Sequence, residues 1–377
     1  MASQYLSHLV RVLDQAGVEN PADYKDWSKR KGSVEVLAEH FAYPSNAGLP
    51  PIMSVVKPFF HPDPKLRLIG WNYTPVAHNV LHDKPEGWTD PLRLARGVVY
   101  ERGSGQLIAL PMPKFFNDGE HPETKHLAGR AFTATVKHDG HLSINFNYQG
   151  QWLTTTRGSF TSPTAVIAQR ALDAHLADPA RRRGWDEYMG VTILAEFIHP
   201  DTKVIVEYGG LEEFILLTAY DRTKCEELAY DFLRHFVAKA LDVPITETWS
   251  GHDIAELRAY MKNRGIKNQE GFVARFDDGL RAKFKFATYI GEMVARKLSY
   301  AYVMRRLIAG NSTRMFGTLE EELLDEAHKM MRRVKAAAKT GTRKERRDRL
   351  YALVDEAGRT AGFKNAVCDY LNHLGVH

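Results

Sequence analysis

The spacing of hydrophobic residues changes twice along the chain. In about the first 45 residues, apolar side chains recur at helical spacing, as in YLSHLVRVLDQAG and SVEVLAEHF, which predicts helices. Residues 46–92 are rich in proline and glycine and show no clear period. From residue 94 to residue 290, short alternating stretches separated by turn residues predict β-strands. The rest of the chain returns to helical spacing.

The strands of the middle region are predicted to form hairpins and neighbouring pairs. Gly-Ser-Gly joins RGVVYE to QLIALPM, and Asp-Asp-Gly, which contains a strong hairpin signal, joins EGFVARF to LRAKFKF. Further strands are predicted for TATVKHDG, LSINFNY, WLTTTRG and EFILLTAYD, and a further pair for TILAEFI and KVIVEYG. Two helices are predicted among these strands, around AYDFLRHFVAKAL and DIAELRAYMKNRG.

The strand pattern stops after Ala287, and the remaining chain is predicted to be helical. Thr318 can cap TLEEELLDEAHKMMRRVKAAAK, with Glu321 three residues later as in a capping box. Gly341 ends that helix, and RKERRDRLYALVDEAGRTAGF begins the next helical stretch. The predicted fold class is therefore α+β, with a body of antiparallel strands followed by a small all-helical part.

The composition fits an ordinary soluble protein, with 44% hydrophobic and 26% charged residues in 377. That length favours two domains, which we place at residues 1–290, with a helical N-terminal segment, and at residues 291–377. From Gly291 on, 17 Lys and Arg face 11 Asp and Glu, a net charge of +6 in a chain whose total is +5. A basic tail on a neutral body indicates a polyanionic partner, with a solvated helical surface as the alternative.

The sequence also argues against several classes of protein. Cys225 and Cys368 are too few for a disulfide framework or a thiolate metal site. The N-terminus lacks a basic run followed by an apolar block, and no stretch approaches about 18 uninterrupted apolar residues. We therefore expect a protein of the reducing cytoplasm with no membrane partner.

The stretch ATVKHDGHLSINF places Lys137 and Asp139 inside a strand-like pattern. Lysine is rarely buried in a sheet without a partner or a task, and a neutral amine can attack phosphorus or a carbonyl. Lys283 and Lys285 differ by two positions, so in a strand they point to the same face. His138 lies in the same loop as a second histidine, at 141, and without a third ligand the two are interpreted as polar loop residues rather than a metal site.

Several short motifs occur in an order typical of one superfamily. The segments 137–140, 195–198, 270–274 and 283–285 read KHDG, AEFI, EGFVA and KFK, and they resemble motifs I, III, IV and V of covalent nucleotidyltransferases. Upstream, ARGVVYE and PMPKFFNDGE resemble segments of the phage-type RNA ligase 1 family, as does RGSF at 157–160. The resemblance covers residues 94–290, and it is the combination of motifs that is specific.

The resemblance implies an antiparallel-sheet nucleotidyltransferase domain and an ATP-dependent RNA ligase that uses Mg²⁺ or Mn²⁺. Lys137 would carry AMP, with Lys283 and Lys285 as the other catalytic residues, and Gly140 and Gly271 would leave room for the nucleotide against the backbone. The expected metal-binding residues are Asp139, Glu196 and Glu270. The expected nucleotide-binding residues are Arg96, Lys114, His138, Asp139, Gly140, Arg157, Glu196, Glu270, Lys283 and Lys285.

The implied substrate is RNA with a 5′-phosphate and a 3′-hydroxyl end, sealed through lysyl-AMP and an RNA-adenylate by a monomer. A nicked tRNA and a phage-encoded role in RNA repair in the host cytoplasm also follow from the resemblance. Three alternatives stay open: a DNA ligase or capping guanylyltransferase, a non-catalytic RNA-binding protein, and structural pairing of Glu196 and Glu270 with Lys283 and Lys285. Arg157 stands where the family has a lysine, and the two side chains differ in reach and geometry.

Overall fold

A computed structural model describes most of the chain, and the described residues form two compact units. The first unit comprises Met1–Thr74 and Asp83–Phe286, and the second comprises Pro75–His82 and Ala287–His377. The division into domains 1–290 and 291–377 stays a prediction. The described residues are 2–44, 48–81, 84–262, 266–310, 321–356 and 363–376.

Helices open and close the chain, and strands occupy its middle. The helices are α1 (Ala2–Gln15), α2 (Pro21–Trp27), α3 (Ser33–His40), α4 (Ile52–Val55), α5 (Pro75–Leu81), α6 (Asp90–Leu94), α7 (Pro122–Lys125), α8 (Pro163–His175), α9 (Pro179–Asp186), α10 (Tyr230–Phe232), α11 (Ala238–Leu241), α12 (Ile254–Lys262), α13 (Ala287–Lys297), α14 (Tyr300–Ile308), α15 (Glu321–Ala338), α16 (Arg343–Glu356) and α17 (Phe363–His373). A π-helical segment, Leu233–Val237, joins α10 to α11. Short 3₁₀ turns lie at Pro64–Leu66, Pro85–Gly87 and Pro200–Thr202.

The strands of the first unit form three sheets over the described residues. Their orders are β1-β2-β3-β4, β11-β10-β9-β7-β8 and β12-β6-β13-β14-β5, and the pairings are antiparallel except that of β5 with β14. The α+β prediction with antiparallel sheets is confirmed. The strands are β1 (Val56–Phe60), β2 (Leu68–Tyr73), β3 (Arg96–Glu101), β4 (Leu107–Ala109), β5 (Phe116–Asn117), β6 (Phe132–Lys137), β7 (His141–Tyr148), β8 (Gln151–Thr155), β9 (Val191–Ile198), β10 (Glu213–Asp221), β11 (Glu226–Glu227), β12 (Thr248–Gly251), β13 (Gly271–Arg275) and β14 (Arg281–Lys285).

Two parts of the first unit differ from the prediction. The stretch KVIVEYG, predicted as a strand, is irregular, because the N–H groups of Ile205 and Val206 bind the Asp139 carboxylate instead of a neighbouring strand. Residues 46–92, which show no period, contain β1 and β2. All six residues of β2 are buried, so the strand shows no alternation of apolar and polar residues that would reveal it.

A buried core joins the second sheet to α8, α9 and residues 230–241. The rings of Trp152 and Trp185 meet edge to face there, with centroids 5.0 Å apart. At Gly184 a Cβ atom would lie 1.8 Å from the Ala240 carbonyl oxygen, so only glycine allows this approach of α9 to α11. The close contact fixes residues 230–241 firmly against the core.

The second unit consists of α5 and α13 to α17, and every regular element described in it is a helix. Its helices pack around buried Met304, Val334, Leu350 and Leu371. The predicted capping box begins at Thr318, which lies outside the described residues. Among the described helices of the whole chain, none combines the length and apolarity that crossing a membrane requires.

Candidate active site

Lys137 ends β6, where β6, β13 and β14 lie side by side. In the sheet register, Gly271 lies opposite both Lys137 and Lys285, so the two lysines flank it on the same face. The Glu270 carboxylate joins them: Oε2 is 2.7 Å from the Lys137 Nζ, and Oε1 is 2.8 Å from the Lys285 Nζ. Glu270 is only 4% exposed. Lys137 and Lys285, the lysine pair, therefore share one buried negative charge.

Two glycines of the motifs are required by the protein's own strands. Gly271 has φ +153°, and a Cβ atom there would lie 1.9 Å from the Phe284 carbonyl oxygen. A Cβ atom at Gly140 would lie 2.5 Å from the Phe197 carbonyl oxygen. The resemblance implies that these glycines leave room for a nucleotide, but packing against neighbouring backbone is enough to explain both.

The turn after Lys137 is held by two carboxylates. The Asp139 Oδ2 accepts hydrogen bonds of 2.7 Å from the N–H groups of both Ile205 and Val206. The Gly140 N–H donates to the Glu196 Oε1 at 3.1 Å. Burial raises the pKa of the Glu196 carboxyl to about 7, and the charge of Glu270 adds to this rise while the Lys137 ammonium opposes it.

The raised pKa of Glu196 should make stability depend on pH. Because folded Glu196 keeps its proton up to a pKa of about 7, against 4.5 in its ordinary state, its contribution to stability is lost as pH rises between these values. The variant Glu196→Gln should not lose stability in this way. Above pH 7 its free energy of unfolding should exceed that of the native protein by roughly 1 to 3 kcal/mol. Urea unfolding of both proteins between about pH 5 and pH 8 measures the difference. A difference that does not change with pH would contradict the assignment.

Four cations converge on the hydroxyl group of Tyr73, the last residue of β2. Burial alone would raise the pKa of this phenol, but the charges of Arg157, Lys114, Arg96 and Lys283 outweigh burial and lower the pKa to about 8. The Arg157 Nη1 also donates to the Tyr73 hydroxyl at 3.1 Å. These four residues, which we call the basic cluster, come from separate parts of the chain and all lower the pKa of this one hydroxyl group.

Aromatic rings flank the cations of this cluster. The Lys114 side chain is 3% exposed, and its Nζ lies 4.3 Å from the centre of the Phe116 ring. Arg96 and Lys283 both lie over the Phe115 ring, at 5.8 Å and 5.7 Å from its centre. Cations over ring faces are attracted by the ring quadrupole. The rings therefore hold positive charges in place without neutralising them.

Sequence reasoning missed two tyrosines of this site. Tyr73 lies in the region without a hydrophobic period, and a single tyrosine at the end of a buried strand gives no functional signal. Tyr208 lies in the stretch wrongly predicted as a strand, and its hydroxyl accepts a 2.8 Å hydrogen bond from the Asp139 N–H. Both were hidden because their partners lie far away in sequence.

The three carboxylates predicted to bind a metal all accept bonds from protein donors. In the parts of the chain that the structure describes, no group of three His, Cys, Asp or Glu side chains is arranged to hold a metal ion. His138 is half-buried, and burial together with the Lys137 charge lowers the pKa of its imidazole. The His141 Nε2 lies 2.8 Å from the Thr202 carbonyl oxygen. Direct binding of a metal by Asp139, Glu196 and Glu270 together does not fit this geometry, and their metal role stays a prediction.

The arrangement as a whole favours a polyphosphate. The lysine pair and the basic cluster supply six cations, whereas Asp139, Glu196 and Glu270 supply three carboxylates. Oriented cations in a partly buried site stabilise phosphate charge more strongly than they would in water. The structure thus brings together the residues of the motifs, and their individual roles stay predictions.

Comparison with known proteins agrees with the order of the motifs. Residues 94–290 match a family model described as RNA ligase. A protein of Thermovibrio ammonificans named "Putative RNA ligase" is 28% identical over 201 residues, which are 52% of this chain and 50% of that protein. The matching region therefore spans half the length of that curated relative.

Solved structures of RNA ligases show a more distant similarity. An archaeal ATP-dependent RNA ligase aligns with a TM-score of 0.41 and 15% identity, covering 69% of this chain and 75% of that one. A Naegleria gruberi RNA ligase solved with PPi aligns with a TM-score of 0.35 and 19% identity, covering 45% and 53%.

Proposed function

Because this chain belongs to the RNA ligase family whose model matches residues 94–290, we propose that it seals RNA ends with ATP as co-substrate. The observation that best supports this activity is the lysine pair on Glu270 beside the basic cluster. A candidate nucleophile and a set of fixed cations are what transfer of a nucleotide to a lysine requires.

In the proposed first step, the neutral Lys137 amine attacks the α-phosphorus of ATP. A phosphorus–nitrogen bond forms, the bond from the α-phosphorus to the bridging oxygen breaks, and pyrophosphate leaves while the amine releases a proton to the solvent. In the second step, an oxygen of the RNA 5′-phosphate attacks the AMP phosphorus, the phosphorus–nitrogen bond breaks, the lysine takes up a proton from the solvent, and an RNA-adenylate forms. In the third step, an RNA 3′-hydroxyl attacks the phosphorus of the RNA 5′-phosphate. AMP leaves, and a phosphodiester bond joins the two RNA ends.

The residues around Lys137 fit this chemistry. Lys285 and Lys283 would stabilise the phosphate during transfer, and Arg96 and Lys114 would hold the β- and γ-phosphates. Glu270 keeps both lysines of the pair at one place before ATP binds. Mg²⁺ or Mn²⁺ would supply further positive charge to the phosphates, but the carboxylates do not fit direct coordination, so no step is assigned to a metal.

The alternative activities have less support. A DNA ligase or capping guanylyltransferase would continue into a strand-rich OB domain, whereas every regular element described after Ala287 is a helix. A non-catalytic RNA-binding protein would have no need for two lysines around one buried carboxylate. An RNA substrate, a role in tRNA repair and a monomeric state belong to the proposal.

Incubation with labelled ATP, GTP or NAD, followed by a denaturing gel, tests the proposal. We expect an acid-labile adduct with ATP, and subsequent joining of RNA with 5′-phosphate and 3′-hydroxyl ends. Parallel reactions with DNA of the same sequence serve as the control for the substrate. Adduct formation with GTP alone, or joining of DNA but not of RNA, would contradict the proposed function.

Two arginines of the basic tail bind backbone carbonyl groups of the tail itself. The Arg346 Nε donates to the Gly341 carbonyl at 2.8 Å, and the Arg349 Nε donates to the Ala337 carbonyl at 3.0 Å. These arginines satisfy carbonyl groups near the end of α15, which is a structural role. Three exposed lysines form no ion pair with a described residue and can contact RNA: Lys335, Lys339 and Lys344.

Replacing these three lysines with glutamine is expected to weaken RNA binding and flatten its salt dependence. Removal of one phosphate contact should lower the slope of log affinity against log salt by about 0.7 to 0.9. Lysyl-AMP formation needs no RNA and should stay unchanged. Glutamine at Lys25, Lys31 and Lys65, exposed in the first unit, gives the same change in net charge and serves as the control. Equal salt slopes in the two triple variants would exclude a specific contact.

A further inference from the structure

Residues 230–241, which we call the aromatic helix, have one face fixed in the core. Leu233, Val237 and Leu241 are each at most 1% exposed and pack with Trp152 and Trp185. The π-helical turn in the middle of the segment is an uncommon geometry that recurs at functional sites. The buried face is sufficient to hold the helix, so the opposite face is available for another purpose.

That opposite face carries two exposed phenylalanines. Phe232 is 40% exposed and Phe236 is 59% exposed, and their ring centres lie 5.2 Å apart with planes inclined by 29°. Burial of such rings against a partner is favourable, because it removes apolar surface from water. Two stacked rings left in water on a rigid helix therefore indicate a binding surface.

The charges around the rings indicate which partner fits. Arg234, His235 and Lys239 are exposed on the same helix, against the single acid Asp231. Neither Arg234 nor Lys239 forms an ion pair with any residue that the structure describes. An apolar protein surface docked on the two rings would bury these cations without partners. Single-stranded RNA offers bases to stack on the rings and phosphates to pair with the cations.

Hydrogen bonds connect the start of this helix to the strand of the candidate nucleophile. The Tyr230 hydroxyl donates to the Thr246 carbonyl at 2.8 Å, and the Thr246 Oγ1 donates to the Val136 carbonyl at 3.0 Å. Val136 directly precedes Lys137 in β6. An RNA strand bound to the aromatic helix would thus be held by the same part of the protein that positions Lys137.

We propose that Phe232 and Phe236 stack on unpaired bases of the RNA substrate, while Arg234 and Lys239 contact its phosphates. This inference rests on the proposed function and adds a binding surface for single-stranded RNA to it. Stacking on a ring face requires no particular base. The surface therefore selects RNA ends whose bases are unpaired, whatever their sequence.

The test compares the full-length native chain with the double variant Phe232→Ala and Phe236→Ala. Affinity for a labelled single-stranded RNA should fall by about tenfold for each ring, while affinity for a blunt duplex should change little. Phe236→Trp should keep the affinity, because it keeps a stacking face. Met189→Ala, which removes an apolar side chain of 45% exposure from the same unit, is the matched control. Arg234→Gln and Lys239→Gln should each lower the salt slope by about 0.7.

Unchanged affinity for single strands in the double variant would overturn the inference. A change in oligomeric state, measured by sedimentation, would also overturn it, since the rings would then bind a second copy of the chain. Lysyl-AMP formation separates this inference from the proposed function. If the native chain forms the adduct and seals RNA but the double variant binds RNA equally well, only the stacking surface fails. If no adduct forms while single-strand binding falls as expected, only the ligase activity fails.

Discussion

Lys137→Ala is expected to abolish the transfer of AMP from ATP to the protein. Lys137 is the last residue of β6, and its amine lies 2.7 Å from the buried Glu270 carboxylate. The neighbouring lysines supply the positive charge that a transferring phosphate needs. Loss of the nucleophile cannot be compensated by the remaining charges, so labelling should fall by at least about a thousandfold. The measurement is protein-bound label after incubation with α-labelled ATP and a denaturing gel.

Lys137→Arg separates the chemistry from the fold. Arginine keeps a positive charge for Glu270 but is not a nucleophile, so this variant should fold normally and yet form no adduct. Lys262→Ala, which removes an exposed lysine of α12, should label like the native chain. Adduct that persists in Lys137→Ala would assign the nucleophile elsewhere, with Lys285 as the nearest candidate.

Lys285→Ala should impair both adenylylation and the sealing of pre-adenylylated RNA. Both steps develop negative charge on a phosphate near the lysine pair, and one oriented charge typically contributes on the order of a hundredfold. Removal of Lys285 also leaves Glu270 with a single partner from the lysine pair, Lys137. A defect in both steps is likewise expected for Lys283→Ala, because Lys283 is also proposed to stabilise the transferring phosphate.

Lys114→Ala provides the contrast between the two steps. Lys114 is proposed to hold phosphates that leave as pyrophosphate, so its loss should harm adenylylation and largely spare the sealing of pre-adenylylated RNA. Single-turnover rates of both steps in each variant measure this division. Equal losses in the second step for Lys114→Ala and Lys285→Ala would contradict it. Circular dichroism of each variant controls for unfolding, because Lys114 and Lys285 are both well buried.

Local sequence determined the strands that carry the lysines. The alternation in TATVKHDG and LRAKFKF predicts β6 and β14, and the Asp-Gly turn predicts the hairpin of β13 with β14. The two-residue spacing of Lys283 and Lys285 already places both side chains on one face. These features depend on neighbouring residues alone, so they can be read from the chain, and the order of the motifs then indicates nucleotide transfer.

Tertiary structure alone decided which groups meet. The register of three strands brings Lys137 and Lys285 to the same Glu270 carboxylate. The packing of distant segments brings four cations close enough to Tyr73 to lower the pKa of its hydroxyl group. The chain at Ile205 is irregular because the Ile205 N–H donates to the Asp139 carboxylate and is therefore not available to a neighbouring strand. Local pattern records the propensity of a segment, but contacts over more than a hundred residues depend on burial, register and the sum of nearby charges. Those are properties of the folded chain.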